Sequence, residues 1–291
     1  MRIAGVDIGG TSIKIGVFED DTLLHKTSIK TPYADPSEAC ARITSFLSEH
    51  HVQLVGVGTA GSVNPTDGIV SASNLGWESV PLKEMLSSSL NVPVWIDNDA
   101  QAALTAEWYN GVCQGVECAL YLTLGTGIGG AMIIDGKPYR GPHHLAAEFG
   151  HMIIHPNGHR CACGRKGCLE YYASASSIKR MARGRSAYSV ITAAKAGEAY
   201  SQRIFNRYIH ELCIGLSNLI MTFDPQIIAL GGGLSGAGDF LTDACQRELK
   251  RIFSETTDPL FCSIRIAKHQ NDAGIIGSAM LARYALADTI K

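Results

Sequence analysis

The chain has 291 residues, of which 46% are apolar and 18% charged, and its formal net charge is −2. This is enough apolar material for one large domain or for two smaller ones with their own cores. The near-neutral charge argues against a nucleic-acid-binding surface, which normally carries a basic excess, and no apolar run in the sequence is long enough to span a membrane.

Nine cysteines are an odd number, and three of them cluster at 161–168. The other six are scattered through apolar or helical stretches and are typical of reduced, buried thiols: Cys40, Cys113, Cys118, Cys213, Cys245 and Cys262. This usage predicts a reducing, cytoplasmic compartment. The N-terminus agrees, because its first apolar run reaches Asp7 and two glycines too soon for a signal peptide.

The first 115 residues predict a β-β-β-α-β-α-β-α unit. An apolar run that ends in an acid and glycines is followed by alternating residues, which predicts a three-stranded antiparallel meander. Two later continuous apolar runs predict buried, parallel strands. The strands are predicted at 2–8, 13–18, 22–30, 54–61 and 91–99. The first and third helices are predicted at 36–50 and 100–111, and the second lies between the last two strands.

The same pattern begins again at residue 119. Residues 119–141 read as strand, glycine turn and strand, with Leu124-Gly125-Thr126-Gly127 in the place of Ile8-Gly9-Gly10-Thr11. The later predicted elements are helices within 174–223, a strand at 226–233, a helix at 238–252, a strand at 262–267 and a helix at 273–287. We therefore expect two duplicated α/β domains, 1–115 and 116–291, with a hinge near Gly111 to Gly115. The last helix, about 273–288, is expected to pack back on the N-terminal domain.

Three strands end in glycine-rich turns, at Asp7 to Thr11, Gly125 to Gly130 and Gly231 to Gly233. Glycine lets backbone N–H groups approach an anion, and threonine adds a hydroxyl donor. Together these turns predict a nucleotide phosphate site, with the candidate residues Gly9, Gly10, Thr11, Gly125, Thr126, Gly127, Gly129, Gly130, Gly232 and Gly233. None of the turns matches a P-loop, and GTGIGG is followed by a strand-like segment instead of the helix of a dinucleotide site.

Two charged residues adjoin the first of these turns. A carboxylate at Asp7 would repel phosphate unless it faced a divalent cation, so the sequence predicts a Mg²⁺ partner there. Asp7 could instead cap its own glycine turn. Lys14 could reach phosphate, or it could face solvent from an alternating strand.

A group of polar residues, Asp97-Asn98-Asp99, lies where a buried strand meets a helix. Ligands bind at the carboxyl ends of strands in open α/β sheets. Phosphoryl transfer to an alcohol needs a carboxylate to accept the hydroxyl proton, and Asp99 is our candidate for this base. The alternative is helix N-capping by one of the three residues.

A cluster of thiols and imidazoles follows the second glycine turn. Cys161, Cys163 and Cys168 form a C-x-C-x4-C array downstream of His151. Three thiolates and one imidazole are a ligand set that structural Zn²⁺ prefers. Three buried thiols are the alternative, and spacing leaves His155 and His159 open as the fourth ligand.

Six motifs together resemble the repressor, open reading frame and kinase (ROK) family of sugar kinases. They are DIGGTSIKIGVF, DNDAQAA, LGTGIGGAMIIDG, EFGHM, CACGRKGCLE and GGG. The resemblance spans nearly the whole chain and implies an actin-like ATPase (ribonuclease H-like) fold, with two α/β domains around a central cleft that holds ATP. It also implies a homodimer.

The resemblance implies roles for individual residues. Asp99 matches the catalytic base, and His151 matches the fourth zinc ligand. The positions that match contacts to sugar hydroxyls are Gly61, Asn74, Asn98, Glu148, His151 and Glu170. Two features depart from the family pattern: Ser12 stands where lysine often follows D-I-G-G-T, and the phosphate motif begins at Asp7, where the repressor members have a winged-helix domain.

We therefore predict a kinase that transfers the γ-phosphoryl group of ATP to a hexose, at the 6-hydroxyl of glucose. The intact E-x-G-H motif, which places Glu148 near ring hydroxyls, favours glucose. The alternatives are N-acetylmannosamine or N-acetylglucosamine kinase, fructokinase, β-glucoside kinase, and a sugar-responsive regulator without catalysis. A redox role for the C-x-C pair is a third kind of function.

Overall fold

A computed structural model describes the backbone of residues 1–253 and 262–289. The chain divides into two compact units. The first combines Met1–Gln114 and Arg140–Leu145 with the chain from Asn271 onward, and the second combines Gly115–Tyr139 with Ala146–Gln270. The chain therefore passes from one unit to the other at four points.

The first unit is built on a five-stranded sheet in the order β3-β2-β1-β4-β8. Its strands are β1 (Arg2–Ile8), β2 (Ser12–Glu19), β3 (Thr22–Lys30), β4 (Leu54–Thr59) and β8 (Val94–Asn98). The first three form the predicted antiparallel meander, and β1, β4 and β8 pair in parallel. All six residues of β4 are buried, as a central parallel strand requires.

The sequence did not predict a second, three-stranded sheet in this unit, β5-β6-β7. It consists of β5 (Ser62–Asn64), β6 (Ile69–Ala72) and β7 (Trp77–Pro81). These strands have three to five residues, too few for a clear alternation. The helices of the unit are α1 (Pro36–Ser48), α2 (Leu82–Leu90), α3 (Asp99–Asn110) and α9 (Ala273–Thr289).

Helix α9 packs on the first unit's large sheet with no side chain between the two backbones. A Cβ added to Gly5 on β1 would lie 1.8 Å from the carbonyl oxygen of Ile275, and one added to Gly56 on β4 would lie 1.7 Å from that of Ser278. Only hydrogen fits at these two positions. The two glycines therefore allow the last helix to lie directly on the strands.

We expect Gly56→Ala to lower the free energy of unfolding by at least about 2 kcal/mol, because the new methyl group must push the helix backbone off the sheet. Urea unfolding followed by circular dichroism would measure the change. Gly236→Ala is the matched control, since a Cβ there meets nothing within 4 Å. Equal stability of the two variants would contradict the close packing.

The second unit has a five-stranded sheet in the order β11-β10-β9-β12-β13. Its strands are β9 (Ala119–Leu124), β10 (Ile128–Ile134), β11 (Lys137–Pro138), β12 (Ile227–Gly231) and β13 (Ser263–Ile266). Strand β9 pairs antiparallel with β10 and parallel with β12, as β1 does with β2 and β4. The repeated strand order confirms the duplication.

The helices of the second unit cover a large apolar core that includes β9 and β12. They are α4 (Leu169–Ala173), α5 (Ala175–Met181), α6 (Ala187–Lys195), α7 (Ala199–Phe223) and α8 (Asp239–Phe253). The long helix α7 is capped at its C-terminus by Asp224, which adopts the left-handed conformation. No helix within residues 1–253 and 262–289 has the length and apolar character needed to cross a bilayer.

The six scattered cysteines are free thiols. Four are buried as predicted, whereas Cys118 and Cys262 are half-buried. Burial raises the pKa of Cys40 to about 11 and that of Cys113 to about 12. These thiols are therefore protonated and unreactive near neutral pH.

Candidate functional site

The first glycine loop joins β1 to β2. The Gly9 N–H donates to the Ser12 carbonyl at 3.1 Å, and the Thr31 hydroxyl donates to the Gly9 carbonyl at 2.7 Å. Gly10 and Thr11 are exposed at the tip of the loop. A Cβ on Gly10 would lie 3.4 Å from Nδ2 of Asn74, so the Asn74 amide adjoins the loop.

Asp7 and Lys14 face each other across the β1–β2 pair. Nζ of Lys14 lies 3.7 Å from Oδ2 of Asp7 and donates to the carbonyl of Asn271 at 3.0 Å. Burial raises the pKa of Asp7, and the ammonium of Lys14 opposes that shift. Lys14, a candidate phosphate contact, thus pairs with Asp7, the candidate Mg²⁺ ligand.

The three residues of the Asp97-Asn98-Asp99 group make different contacts. Asn98 is the N-cap of α3, and its Oδ1 accepts the Ala100 N–H at 2.9 Å. Oδ1 of Asp99 lies 2.8 Å from the same nitrogen. The Nδ2 group of Asn98 donates to the Gly61 carbonyl at 3.1 Å, and Gly61 has a φ of +100°. Asn98 can therefore cap the helix without help from Asp99.

Asp97 is the only buried residue of the three, with 5% exposure. Its Oδ2 accepts a hydrogen bond from Nε of Arg140 at 2.7 Å and a second from the same guanidinium, and its Oδ1 accepts the Asn98 N–H at 2.8 Å. The charge of Arg140 compensates the buried carboxylate. Arg140 was not identified from the sequence, because nothing in its local pattern connects it to residue 97.

The second glycine loop, Gly125-Thr126-Gly127, joins β9 to β10. Oε2 of Glu170 accepts the N–H of Ile128 at 2.9 Å. A Cβ added to Gly127 would lie 2.3 Å from this oxygen, so the glycine makes room for the carboxylate. Glu170 therefore lies directly against the loop.

The remaining glycines of the second loop lie on strand β10. Gly129 is exposed, and a Cβ on Gly130 would lie 2.3 Å from the carbonyl oxygen of Ala147. Ala147 itself adopts the left-handed conformation, with a φ of +67°. The next residue is Glu148, whose side chain is exposed and takes no hydrogen bond from the residues that the structure describes.

A cavity of about 540 Å³ opens beside the second and third glycine turns. Its walls include Gly125, Thr126, Tyr188, Lys195, Gly233 and Ala237. Gly232 has a φ of +79° and precedes the short 3-10 helix Gly233–Ala237. The Tyr188 ring is 81% exposed, and Nζ of Lys195 donates to the Ala237 carbonyl at 2.7 Å. Sequence reasoning missed both side chains, since α6 carries no motif.

The structure brings His151, Cys161, Cys163 and Cys168 together, with all four ligand atoms within 4.8 Å of one another. Sγ of Cys161 lies 3.8 Å from Nδ1 of His151, and the sulfurs of Cys163 and Cys168 lie 3.6 Å apart. Tetrahedral zinc holds neighbouring sulfur ligands about 3.8 Å apart, so the group fits Zn²⁺. The Arg165 N–H lowers the pKa of Cys163 to about 6, whereas burial raises the pKa of Cys168.

The two rival histidines have other partners. Nε2 of His155 lies 2.7 Å from the buried carboxylate of Glu211, and the His159 ring stacks on Tyr171 with centroids 4.9 Å apart. Of the three histidines that spacing left open, the described residues place only His151, the one that the resemblance favoured, in the thiol group.

The comparisons with known proteins agree on one family. The ROK family profile matches residues 3–285. The chain is 33% identical to the glucokinase of Streptomyces coelicolor over 307 aligned positions that cover 96% of each chain. It is 29% identical to the N-acetyl-D-glucosamine kinase of Salmonella paratyphi B over 299 positions, covering 95% of this chain and 98% of the relative.

A solved structure shares the fold over almost the entire length. A ROK family glucokinase from Streptomyces griseus, in complex with glucose and AMPPNP, superimposes with a TM-score of 0.85 at 32% identity. The superposition covers 98% of this chain and 100% of the other.

Proposed function

The chain belongs to the ROK family, and from this premise we propose that it is an ATP-dependent hexose kinase that phosphorylates the 6-hydroxyl of glucose. Its two α/β units have the actin-like ATPase fold. One observation carries the proposal: glycine loops follow the equivalent strands β1 and β9, and a candidate base, Asp99, follows β8. Phosphoryl transfer to an alcohol needs these two features, a phosphate-binding loop and a carboxylate base.

The nucleotide is assigned to the glycine loops and to the cavity beside α6. The exposed ring of Tyr188 offers a face on which a purine can stack. The N–H groups of the loops, together with the hydroxyls of Thr11 and Thr126, suit phosphate oxygens. Loop glycines 9, 10, 125, 127, 129, 130, 232 and 233 are the positions at which a backbone can approach the phosphates.

Mg²⁺ is assigned to Asp7. One carboxylate fits this ion, which usually retains several waters and binds substrate phosphates. When bound, Mg²⁺ would neutralise charge on the transferred phosphate. Lys14 pairs with this carboxylate, and we assign its ammonium as a further phosphate contact.

We assign the sugar hydroxyls to polar groups that are exposed or whose orientation is fixed. Glu148 has an exposed carboxylate. Zinc bound through Nδ1 of His151 would leave Nε2 of the same ring for a hydroxyl and fix the ring's orientation. The other assigned contacts are Gly61, Asn74, Asn98 and Glu170.

Asp99 is proposed to orient the 6-hydroxyl and accept its proton as the oxygen attacks the γ-phosphorus. The backbone donors of the loops stabilise the charge that develops on the phosphoryl oxygens. Exclusion of water from the reacting groups would limit wasteful ATP hydrolysis. We also propose that the chain works in the cytoplasm as a homodimer, which would be tested by measuring its mass in solution.

The proposal is tested by an ADP-release assay with ATP, Mg²⁺ and zinc across glucose, N-acetylmannosamine, N-acetylglucosamine, fructose and a β-glucoside. We expect glucose to have the highest kcat/KM. The Salmonella relative makes an N-acetylhexosamine kinase the second candidate, and preferential turnover of N-acetylglucosamine would establish it. No turnover of any sugar would favour a sugar-responsive regulator.

A further inference from the structure

The segment that follows the zinc ligands in sequence forms hydrogen bonds with the second glycine loop. The carbonyl of Gly125 accepts the N–H of Ala175 at 2.8 Å, and the carbonyl of Thr126 accepts the hydroxyl of Ser176 at 2.8 Å. Glu170 accepts the N–H of Ile128 at 2.9 Å. Three residues within seven positions therefore fasten this loop.

These bonds determine which N–H groups of the loop can meet a ligand. In a trans peptide, the C=O of one residue and the N–H of the next point in opposite directions. Because the carbonyls of Gly125 and Thr126 point at α5, the N–H groups of Thr126 and Gly127 point away from it. The Gly125 N–H is used within the loop, in a 3.0 Å bond to the Gly127 carbonyl.

The remaining backbone donor beside the loop is the N–H of Ile128. The Glu170 carboxylate accepts this N–H and fills the space in which a Cβ of Gly127 would lie. A negative charge so close to a phosphate loop repels anions. Glu170 can therefore favour nucleotide binding only through the bond to Ile128, which orders the loop. The same carboxylate lies 4.0 Å, through Oε1, from the sulfur of the zinc-group residue Cys161. Glu170 therefore lies between the phosphate loop, to which it is hydrogen-bonded, and the zinc loop, residues 151–168.

We propose that Glu170 and Ser176 are positioning residues for nucleotide binding, in addition to the sugar contact assigned to Glu170. They hold the loop so that the N–H groups of Thr126 and Gly127 face the phosphates of the nucleotide. The inference rests on the proposed nucleotide site.

The test measures ADP affinity by titration calorimetry without sugar, and glucose affinity without nucleotide. Glu170→Ala should raise the Kd for ADP about tenfold or more, because a bond to a charged group is lost. Glu170→Gln should restore it to within about threefold, since the amide oxygen still accepts the Ile128 N–H. Ser176→Ala should raise the Kd for ADP about two- to tenfold and leave that for glucose unchanged.

Ser48→Ala is the matched control, since Ser48 is an exposed helical serine that donates to a backbone carbonyl at 2.7 Å, on α1. Zinc content and thermal unfolding show that each variant is folded. Wild-type ADP affinity in both Glu170→Ala and Ser176→Ala would overturn the positioning role. A wild-type chain that binds no ADP would instead overturn the proposed function itself.

Discussion

Asp99→Asn should lower kcat by about 10²- to 10⁴-fold and leave glucose binding nearly unchanged. The amide has the size of the carboxylate but cannot accept a proton from the sugar hydroxyl. The fold should tolerate the change, because Asn98 already accepts the Ala100 N–H at 2.9 Å and the new Oδ1 can keep the second contact. The loss would therefore belong to the chemical step.

The measurement combines steady-state kinetics with glucose titration calorimetry. Asp35→Asn is the matched control, since Oδ1 of Asp35 caps α1 by accepting the Glu38 N–H at 2.8 Å in the same unit. This variant should retain full activity. If Asp99→Asn turned over at the wild-type rate, the base would have to be sought elsewhere and helix capping would be the role of Asp99.

Cys161→Ser should release zinc, raise the KM for glucose about tenfold or more, and expose the zinc loop to proteases. The buried sulfur of Cys161 lies beside Nδ1 of His151, so its loss removes one of four ligands and frees the imidazole to rotate. Apparent binding energies of structural zinc reach about 10 kcal/mol or more, and part of this energy folds the loop.

Metal analysis, glucose kinetics and limited proteolysis would record the three effects. Cys118→Ser is a suitable control, because Cys118 is a half-buried thiol outside the zinc group that donates to the Phe223 carbonyl at 3.7 Å. It should keep its zinc and its KM. Loss of zinc with an unchanged KM for glucose would show that the metal does not orient the sugar contacts.

The sequence predicted the elements that have strong local signals. The strand, glycine turn and strand patterns at β1–β2 and β9–β10 are confirmed. They could be predicted because apolar runs and glycine pairs leave few alternative structures. The sheet β5-β6-β7 was missed because its strands are short. Close packing such as that of Gly5 and Gly56 against α9 is also invisible locally, since the two partners are more than two hundred residues apart.

In the candidate site, too, the residues with a strong local signal were predicted and the others were not. Residues in motifs, such as the cysteine array and Asp99, could be named because their chemistry and spacing are distinctive. Arg140 and Tyr188 could not, since their neighbours in space come from distant parts of the chain. Spacing left three histidines equal. The family resemblance favoured His151, and the fold places this histidine among the thiols.

The discontinuous first unit has a consequence for synthesis on the ribosome. Strands β1 and β4 emerge early, but α9, which covers Gly5 and Gly56, follows them by more than two hundred residues. Both segments of the second unit, Gly115–Tyr139 and Ala146–Gln270, precede it. The nascent chain must therefore keep one apolar sheet face uncovered through most of translation, and we expect this face to be the surface that chaperones bind.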